Sequence, residues 1–418
     1  MKNDVHVPAK KVLVSQMEIS KNENKFLSLL KFGRLGNGTA SQAFILWTAV
    51  LIWNHYILSG AMVIIMAVVV WSKKQFRDAV LAEKTFFILN LSITAVSMLS
   101  SVISGNYIGM AISAGVFFLL SIFSCLKGIM TKESFEKFTV FVCIGSVVAF
   151  ICALVQKFLI YRSDLYRPTA GAFNANYYGA LIVMTAVLSA VKLLEKGGTE
   201  ENHPWYRPTK IFYAAVLIVN CAALLLSESR SSLLALMACA GLYLILTKRF
   251  ILCAVFAVFG AGIWAVGWFY PDVFSWTNSL SFIFTERMEI WECAVKSFLG
   301  SAQSILIGRG PMTYYMVWER EGLYGADHAH NLLFDSLLNV GVVGTLLYIA
   351  VIALIFKFAA AARSKGNSLA FLLTVLFIGE IAVQGIADVT IMWHQSAAFF
   401  LTVAAFSGVK QETKNIIT

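Results

Sequence analysis

His328 and His330 stand two residues apart behind Asp327, at the head of the run HAHNLLFDSLLNVGVVGTLLYIAVIALI from His328 to Ile355. Histidine is the side chain whose charge changes nearest neutral pH without help from its surroundings. Three chemistries fit Asp327-His328-Ala329-His330. A metal site is one, although alternate residues converge on a single ion only in an extended strand. A helix start capped by Asp327 is the second, and it leaves His330 at the third helical position. The third is general-base catalysis, in which His330 takes a proton from a hydroxyl while Asp327 or Asp335 tunes its pKa.

Three other segments carry residues able to act on an anion or a sugar. Arg230 lies in SESRSS, residues 227–232, a short turn between two apolar stretches. A guanidinium there either snorkels to the membrane surface or serves a site. In FTERMEIWECAV, residues 284–295, Arg287 and Trp291 are four apart and share one helix face, with Ile290 and Ala294 apolar, the pattern of an amphipathic helix on a membrane surface. The alternative for Arg287 is a surface pair with Glu286 or Glu289. The segment YRSDLYRPTAGAFNANYYGA, residues 161–180, sets Arg167, Asn174 and Asn176 among aromatic residues. Its asparagines suit both sugar hydroxyls and a helix cap.

The elements that position these residues are membrane helices. Hydrophobic residues make up 59% of the 418 and charged residues 13%, and mean hydropathy is +0.75, whereas about a quarter of the residues in a soluble domain are charged. The fold expected is an all-α polytopic membrane protein. Apolar stretches long enough for a ~30 Å hydrocarbon core fall near residues 85–104, 107–126, 138–160, 177–195, 211–226, 232–247, 250–269, 340–360, 368–386 and 395–408. Residues 42–71 make two further short helices hinged near 54–60, because that keeps the basic tail and the basic SKKQFR segment (72–77) on one side, as the positive-inside rule prefers. About twelve spans result.

In that topology 25 of the 33 Lys and Arg fall on one side, so both termini are expected in the cytoplasm and His330 outside. The net charge of +10 is divided among loops, not gathered in the single patch that nucleic acid requires. The organisation expected is a basic tail at 1–41, helices over 42–269, an extracytoplasmic loop at 270–331, helices over 332–408 and a tail at 409–418. The first tail, rich in Lys, Asn and Ser, reads as disordered and carries no apolar signal-peptide core. The seven cysteines show neither a disulfide framework nor a zinc spacing.

The run from His330 resembles the signature of the O-antigen ligase and polymerase family of integral membrane glycosyltransferases. That signature is His, then Asn, Ser or Gln, nine residues, then Gly-x-x-Gly, and Gly341 and Gly344 complete it here. Ser229-Arg230 resembles the family's Ser-Arg step. Arg287 with Trp291 and the GRGPMTYY turn (308–315) resemble its Arg-x-x-x-Trp helix and Gly-x-Gly-Pro turn. Residues 171–177 resemble the Gly-x-Phe and Asn-Pro-Asn-Tyr parts of its Gly-x-Phe-x-Asn-Pro-Asn-Tyr segment, except that Ala175 replaces the proline.

The resemblance implies a GT-C-like fold whose long extracytoplasmic loop contains amphipathic helices. It also implies transfer of a glycan from an undecaprenyl-diphosphate donor to a glycan or glycolipid acceptor at the bacterial cytoplasmic membrane, by polymerisation or ligation. His330 is then the general base, and Arg230 and Arg287 stabilise the diphosphate. Substrate-binding candidates are Arg167, Asn174, Asn176, Arg309 and Asn331. Neither cofactor nor metal is expected, since no Asp-x-Asp pair occurs outside and the arginines can take a cation's place. Partners expected are the donor, the acceptor and the bilayer, with no nucleic acid. A transporter or flippase of lipid-linked sugars is the competing class; it would put its charges near the midplane and show paired halves.

Overall fold

The computed structural model describes residues 37–163, 165–195, 210–269, 280–321 and 326–409. The expected tails, apart from 37–41 and 409, therefore lie outside the described residues. The chain divides into units 1–44 and 45–418; of the first, only the opening turns of one helix are described. Among the described residues there are sixteen α-helices and no strand. They are α1 (Asn37–Trp53), α2 (Tyr56–Ser72), α3 (Lys74–Ala82), α4 (Lys84–Ile103), α5 (Tyr107–Ile129), α6 (Lys132–Leu154), α7 (Ala175–Leu194), α8 (Lys210–Ser227), α9 (Arg230–Leu246) and α10 (Phe250–Phe269). After these come α11 (Leu280–Leu299), α12 (Ala302–Ile307), α13 (Thr313–Glu321), α14 (Leu332–Ser364), α15 (Ser368–Gln384) and α16 (His394–Ala405).

Each expected apolar segment falls on a helix. Among the described residues, six helices are long and apolar enough to cross a bilayer: α4, α5, α6 with its π-helical continuation Val155–Tyr161, α7, α8 and α14. The bent pair α2 and α3 makes a seventh. The expected twelve exceeds this set because α1, α9 and α15 have 17 residues and α16 has 12, short of the ~20 that span a hydrocarbon core unaided, and α10 counts among the shorter apolar helices over Phe250–Gly262. The basic segment after α2 is itself helical: α3 turns 91° away from α2 and buries Phe76 and Val80. The amphipathic pattern around Arg287 becomes α11, whose Ile290, Cys293 and Ala294 pack with Tyr314 and Val317 of α13 and Leu338 of α14.

Side-chain and backbone bonds gather the linkers at two ends of the unit. At one end, Tyr56 N donates to Gly171 O (2.9 Å), Arg167 Nε to Ser227 O (3.0 Å), Asn106 Nδ2 to Pro311 O (2.8 Å) and Leu332 N to Gly385 O (2.7 Å). At the other, Lys127 pairs with Glu83, Lys192 with Glu136 (2.8 Å), and Asn367 Nδ2 donates to Phe406 O (3.2 Å). The linkers that carry Arg167, Ser229, Asn331 and Asp388 are bonded to one another or through Asn176 at the first of these ends.

The glycine motifs meet in a clamp. α14 is broken at Gly341 (φ 65°, ψ −170°), which leaves Leu338 O and Asn339 O without their helical donors. Arg309 N (3.1 Å) and Gly310 N (2.7 Å) take those carbonyls. The approach requires glycine on both sides. A Cβ at Gly341 would lie 2.5 Å from the backbone of Leu306 and Ile307, and a Cβ at Gly308 (φ 74°) would collide with Asn339.

Gly341→Ala is expected to lower stability by about 1–3 kcal/mol, seen as a fall in thermal midpoint, and to loosen the loop that carries His330. An unchanged midpoint would mean that α14 closes its own break. In a background without native cysteines, a cysteine at Leu165, 92% exposed at the candidate-residue end, should react with an impermeant thiol reagent added to intact cells. A cysteine at Gln75, in α3 at the other end, should not. Equal labelling would reverse the orientation inferred from charge.

Candidate active site

The two histidines are placed by the start of α14. Asn331 caps that helix, its Oδ1 accepting from Leu333 N (3.0 Å) and Phe334 N (3.1 Å), and its Nδ2 donates to Ile386 O (3.1 Å). Asp335, 4% exposed, accepts from Ala329 N (3.0 Å) and from Asn339 Nδ2 (2.7 Å). It thereby ties the histidine loop to the α14 break. His330 itself adopts φ 47°, the left-handed region that a non-glycine residue enters when its surroundings demand it. That turn lets His330 N donate to His328 Nδ1 (3.2 Å) and brings the two rings to 4.2 Å, edge to face.

Both rings point at Asp388, in the linker between α15 and α16. His328 Nε2 lies 3.6 Å and His330 Nδ1 3.7 Å from its Oδ1, within ion-pair range but longer than hydrogen bonds. Asp388 is 0% exposed. Its Oδ2 accepts from Asn176 Nδ2 (2.7 Å), and its Oδ1 accepts from Val389 N (2.8 Å). Burial alone would raise the Asp388 pKa, but the His330 and His328 imidazoles beside it win and hold it down to about 2. Burial pushes His328 the other way, to about 4, against the pull of Asp388.

His328, His330 and Asp388 offer ligand atoms all within 4.8 Å of one another, close enough for a metal. The His328 tautomer opposes one. Its Nδ1 accepts from His330 N, so the neutral ring carries its proton on Nε2, where a cation would need a lone pair. The convergence comes from the left-handed turn at His330, not from an extended strand. Chemically the group is an imidazole pair backed by an ionised carboxylate, suited to taking up a proton at His330, the more exposed ring at 23% against 8%.

Three guanidiniums approach from different elements. Arg287, on α11, donates through Nη1 to His330 O (3.3 Å) and to Ala387 O. Arg167 donates from Nε to Ser227 O and from Nη2 to Asn176 Oδ1 (2.7 Å). Burial lowers its pKa, and the charges of Arg230 and Asp388 both reach it. Arg230 opens α9, and its Nη1 is buried with no partner among the described residues. The adjacent Glu228 carboxylate is bonded instead to Lys157 (2.7 Å).

The structure therefore brings His330, Arg287, Arg167 and Asn176 around Asp388, with Arg230 beside Arg167. Asn176 spends both ends of its amide on protein groups, Oδ1 on Arg167 and Ser229 (3.2 Å) and Nδ2 on Asp388. Asn174 caps α7, accepting from Asn176 N (2.9 Å) and Tyr177 N (3.0 Å). Ala175 then takes the first helical position, one that proline favours but alanine fills as well. Arg309 is engaged elsewhere, donating through Nε to Ser304 Oγ (3.3 Å).

The carboxylate that both histidine rings face within 4 Å is Asp388, while the charges of Asp335 and His330 also reach each other. Asp335 is consumed in holding the loop. Asp388 was missed because it lies 58 residues beyond His330, in no motif; the one signal was a lone acid in the short linker between two apolar stretches.

The family model described as "O-Antigen ligase" matches residues 214–349, which include Arg230, Arg287 and His330. No curated protein matches the chain.

Because the folded-state pKa of His328 lies below its ordinary 6.5, at about 4, the unfolded chain binds the extra proton first. Stability is complete above pH 6.5 and falls as pH drops through 4, by on the order of 3 kcal/mol from this group. Unfolding followed by tryptophan fluorescence should show that acid limb, reduced in His328→Gln. An undiminished limb in the variant would assign it to another group.

Proposed function

We propose, from the match of residues 214–349 to the family model described as "O-Antigen ligase", that the protein moves a glycan from an undecaprenyl-diphosphate carrier to an acceptor-sugar hydroxyl at the outer face of the bacterial cytoplasmic membrane. The observation that carries this reading is the unpartnered, buried Nη1 of Arg230, beside Arg167, which like Arg287 lies within reach of the Asp388 charge. Planar guanidiniums without carboxylate partners match phosphate oxygens in pairs and stay charged at every physiological pH.

In this mechanism His330 removes the proton from the acceptor hydroxyl as its oxygen attacks the anomeric carbon. The bond to the lipid diphosphate breaks on the opposite face, so the configuration inverts. Asp388 stabilises the imidazolium that forms. Arg230 and Arg287 take the charge developing on the diphosphate, the work a divalent cation would otherwise do. The reading covers both polymerisation of a cell-surface polysaccharide and ligation of a finished one. Transport of the lipid-linked sugar is not favoured, because the charged groups converge at one end of the helices.

Purified wild type and variants would be given undecaprenyl-diphosphate-linked oligosaccharide with chelator present, following product length alongside thermal stability. Wild-type transfer should survive the chelator, and loss of it would demand a metal. His330→Ala should lose about 10²–10⁴ in rate without loss of stability; normal product from a stable variant would sink the base assignment. Arg230→Lys should fail nearly as completely as Arg230→Ala, since a point charge lacks the fork. Full activity in the lysine variant would reduce Arg230 to a snorkelling charge.

A further inference from the structure

α15 carries a second acid, Glu380, two helical turns before Asp388. It is 0% exposed, and neither of its carboxylate oxygens has a hydrogen-bond partner among the described residues. Among the described residues no Lys, Arg or His pairs with it. Its neighbours across the seam are the small, buried side of α9, where Ser232, Ala235 and Cys239 share a face. Cys239 Sγ is already spent on Leu376 O (3.4 Å).

One turn above Glu380, toward Asp388, sits Gln384, also 0% exposed. Its Nε2 donates to Ser232 Oγ (2.9 Å) and Asn176 O (3.4 Å), while its Oε1 is buried without a donor. Asp388 N continues the turn, donating to Gln384 O (2.9 Å). Glu380, Gln384 and Asp388 thus follow at intervals of four along one edge, joined through Asn176 to the carboxylate that faces His330.

Counting donors and acceptors along this edge gives an imbalance. Three buried oxygens, two on Glu380 and one on Gln384, have no donor, and an ionised carboxylate only accepts. A bare carboxylate buried among apolar helices without a partner is costly, and such a group neutralises instead. A single proton removes both difficulties, supplying a donor and cancelling the charge. Residues four apart on a helix are neighbours, within reach directly or through one buried water.

We propose that Glu380 is a protonated carboxylic acid at neutral pH, the buried donor to Gln384 Oε1, and that it acts as a positioning residue for Asn176 and Asp388. With its oxygen satisfied from below, the Gln384 amide is held with its NH2 toward Ser232 and the Asn176 backbone. Asn176 is thereby held where its own amide meets Asp388. The positioning role rests on the glycan-transfer reading; the protonation does not.

The test uses the full chain in an ester-free detergent, comparing wild type, Glu380→Gln and Glu380→Leu. Wild type minus Glu380→Gln should show an infrared band in the carbonyl region of protonated carboxylic acids, shifted in D2O. With undecaprenyl-diphosphate-linked oligosaccharide, Glu380→Gln, which keeps a neutral donor, should retain kcat. Glu380→Leu should lose on the order of 10- to 10²-fold in kcat at unchanged KM. Absence of the difference band overturns the protonation, and a Glu380→Leu protein with wild-type kcat overturns the positioning. Should Glu380→Leu fail to fold, the band and the Glu380→Gln kinetics still decide, since Glu380→Gln as inactive as His330→Ala would show that an acid is required there. A wild type that transfers nothing while the band is present counts against glycan transfer and leaves the protonated acid standing.

Discussion

Backbone carbonyls freed inside a membrane protein need donors, because the bilayer core offers no water to supply them. α14 frees two where it breaks at Gly341, and Arg309 N and Gly310 N of the turn after α12 take them. That exchange docks α12 against α14. Asn339, at the break, accepts through Oδ1 from Thr313 N (3.2 Å) at the start of α13 and donates to Asp335, which holds Ala329 in the histidine loop. These bonds add to those from Asn106 Nδ2 to Pro311 O and from Arg287 Nη1 to Ala387 O, which tie the same segment to the helices.

Once that segment is docked, the charged groups fall into a graded arrangement around one carboxylate. Asp388 tolerates complete burial because an amide, a backbone N–H and two imidazoles face it. A buried charge without such partners would be neutralised instead, and Glu380, on the same helix edge with none of them, is the contrasting case. The arginines stand outside this inner group. Two are bonded to carbonyls and to the Asn176 amide, which fixes their direction without neutralising them, and the third keeps a bare Nη1. The site therefore presents a net positive surround to an anion while keeping one negative group behind the imidazoles.

Several features were legible because they are local. The Arg287, Ile290, Ala294 pattern gave an amphipathic helix, and α11 buries the two apolar members while Arg287 reaches the site. The Asn174 cap and the Asn331 cap follow from side chains bonding two and three residues ahead. Span positions follow from hydropathy alone. The metal reading of His-x-His was judged by strand geometry, yet the two rings converge through a positive φ at His330 that no spacing rule encodes.

What the sequence determined by itself was a helical membrane protein, the positions of its apolar segments and the motif glycines, because periodicity, charge and spacing act over a few residues; His330, Arg230 and Arg287 it offered as candidates, singled out by resemblance. What only the tertiary structure decided was which groups meet. Asp388 reaches His330 from 58 positions away, and Asn176 reaches Asp388 from 212 away. The two glycine motifs serve one clamp, with Gly308 set against Asn339 and Gly341 against Leu306 and Ile307. Such pairings depend on how helices pack and where one of them breaks. Those choices are made by close approach between distant backbones, and a linear pattern carries no record of distance.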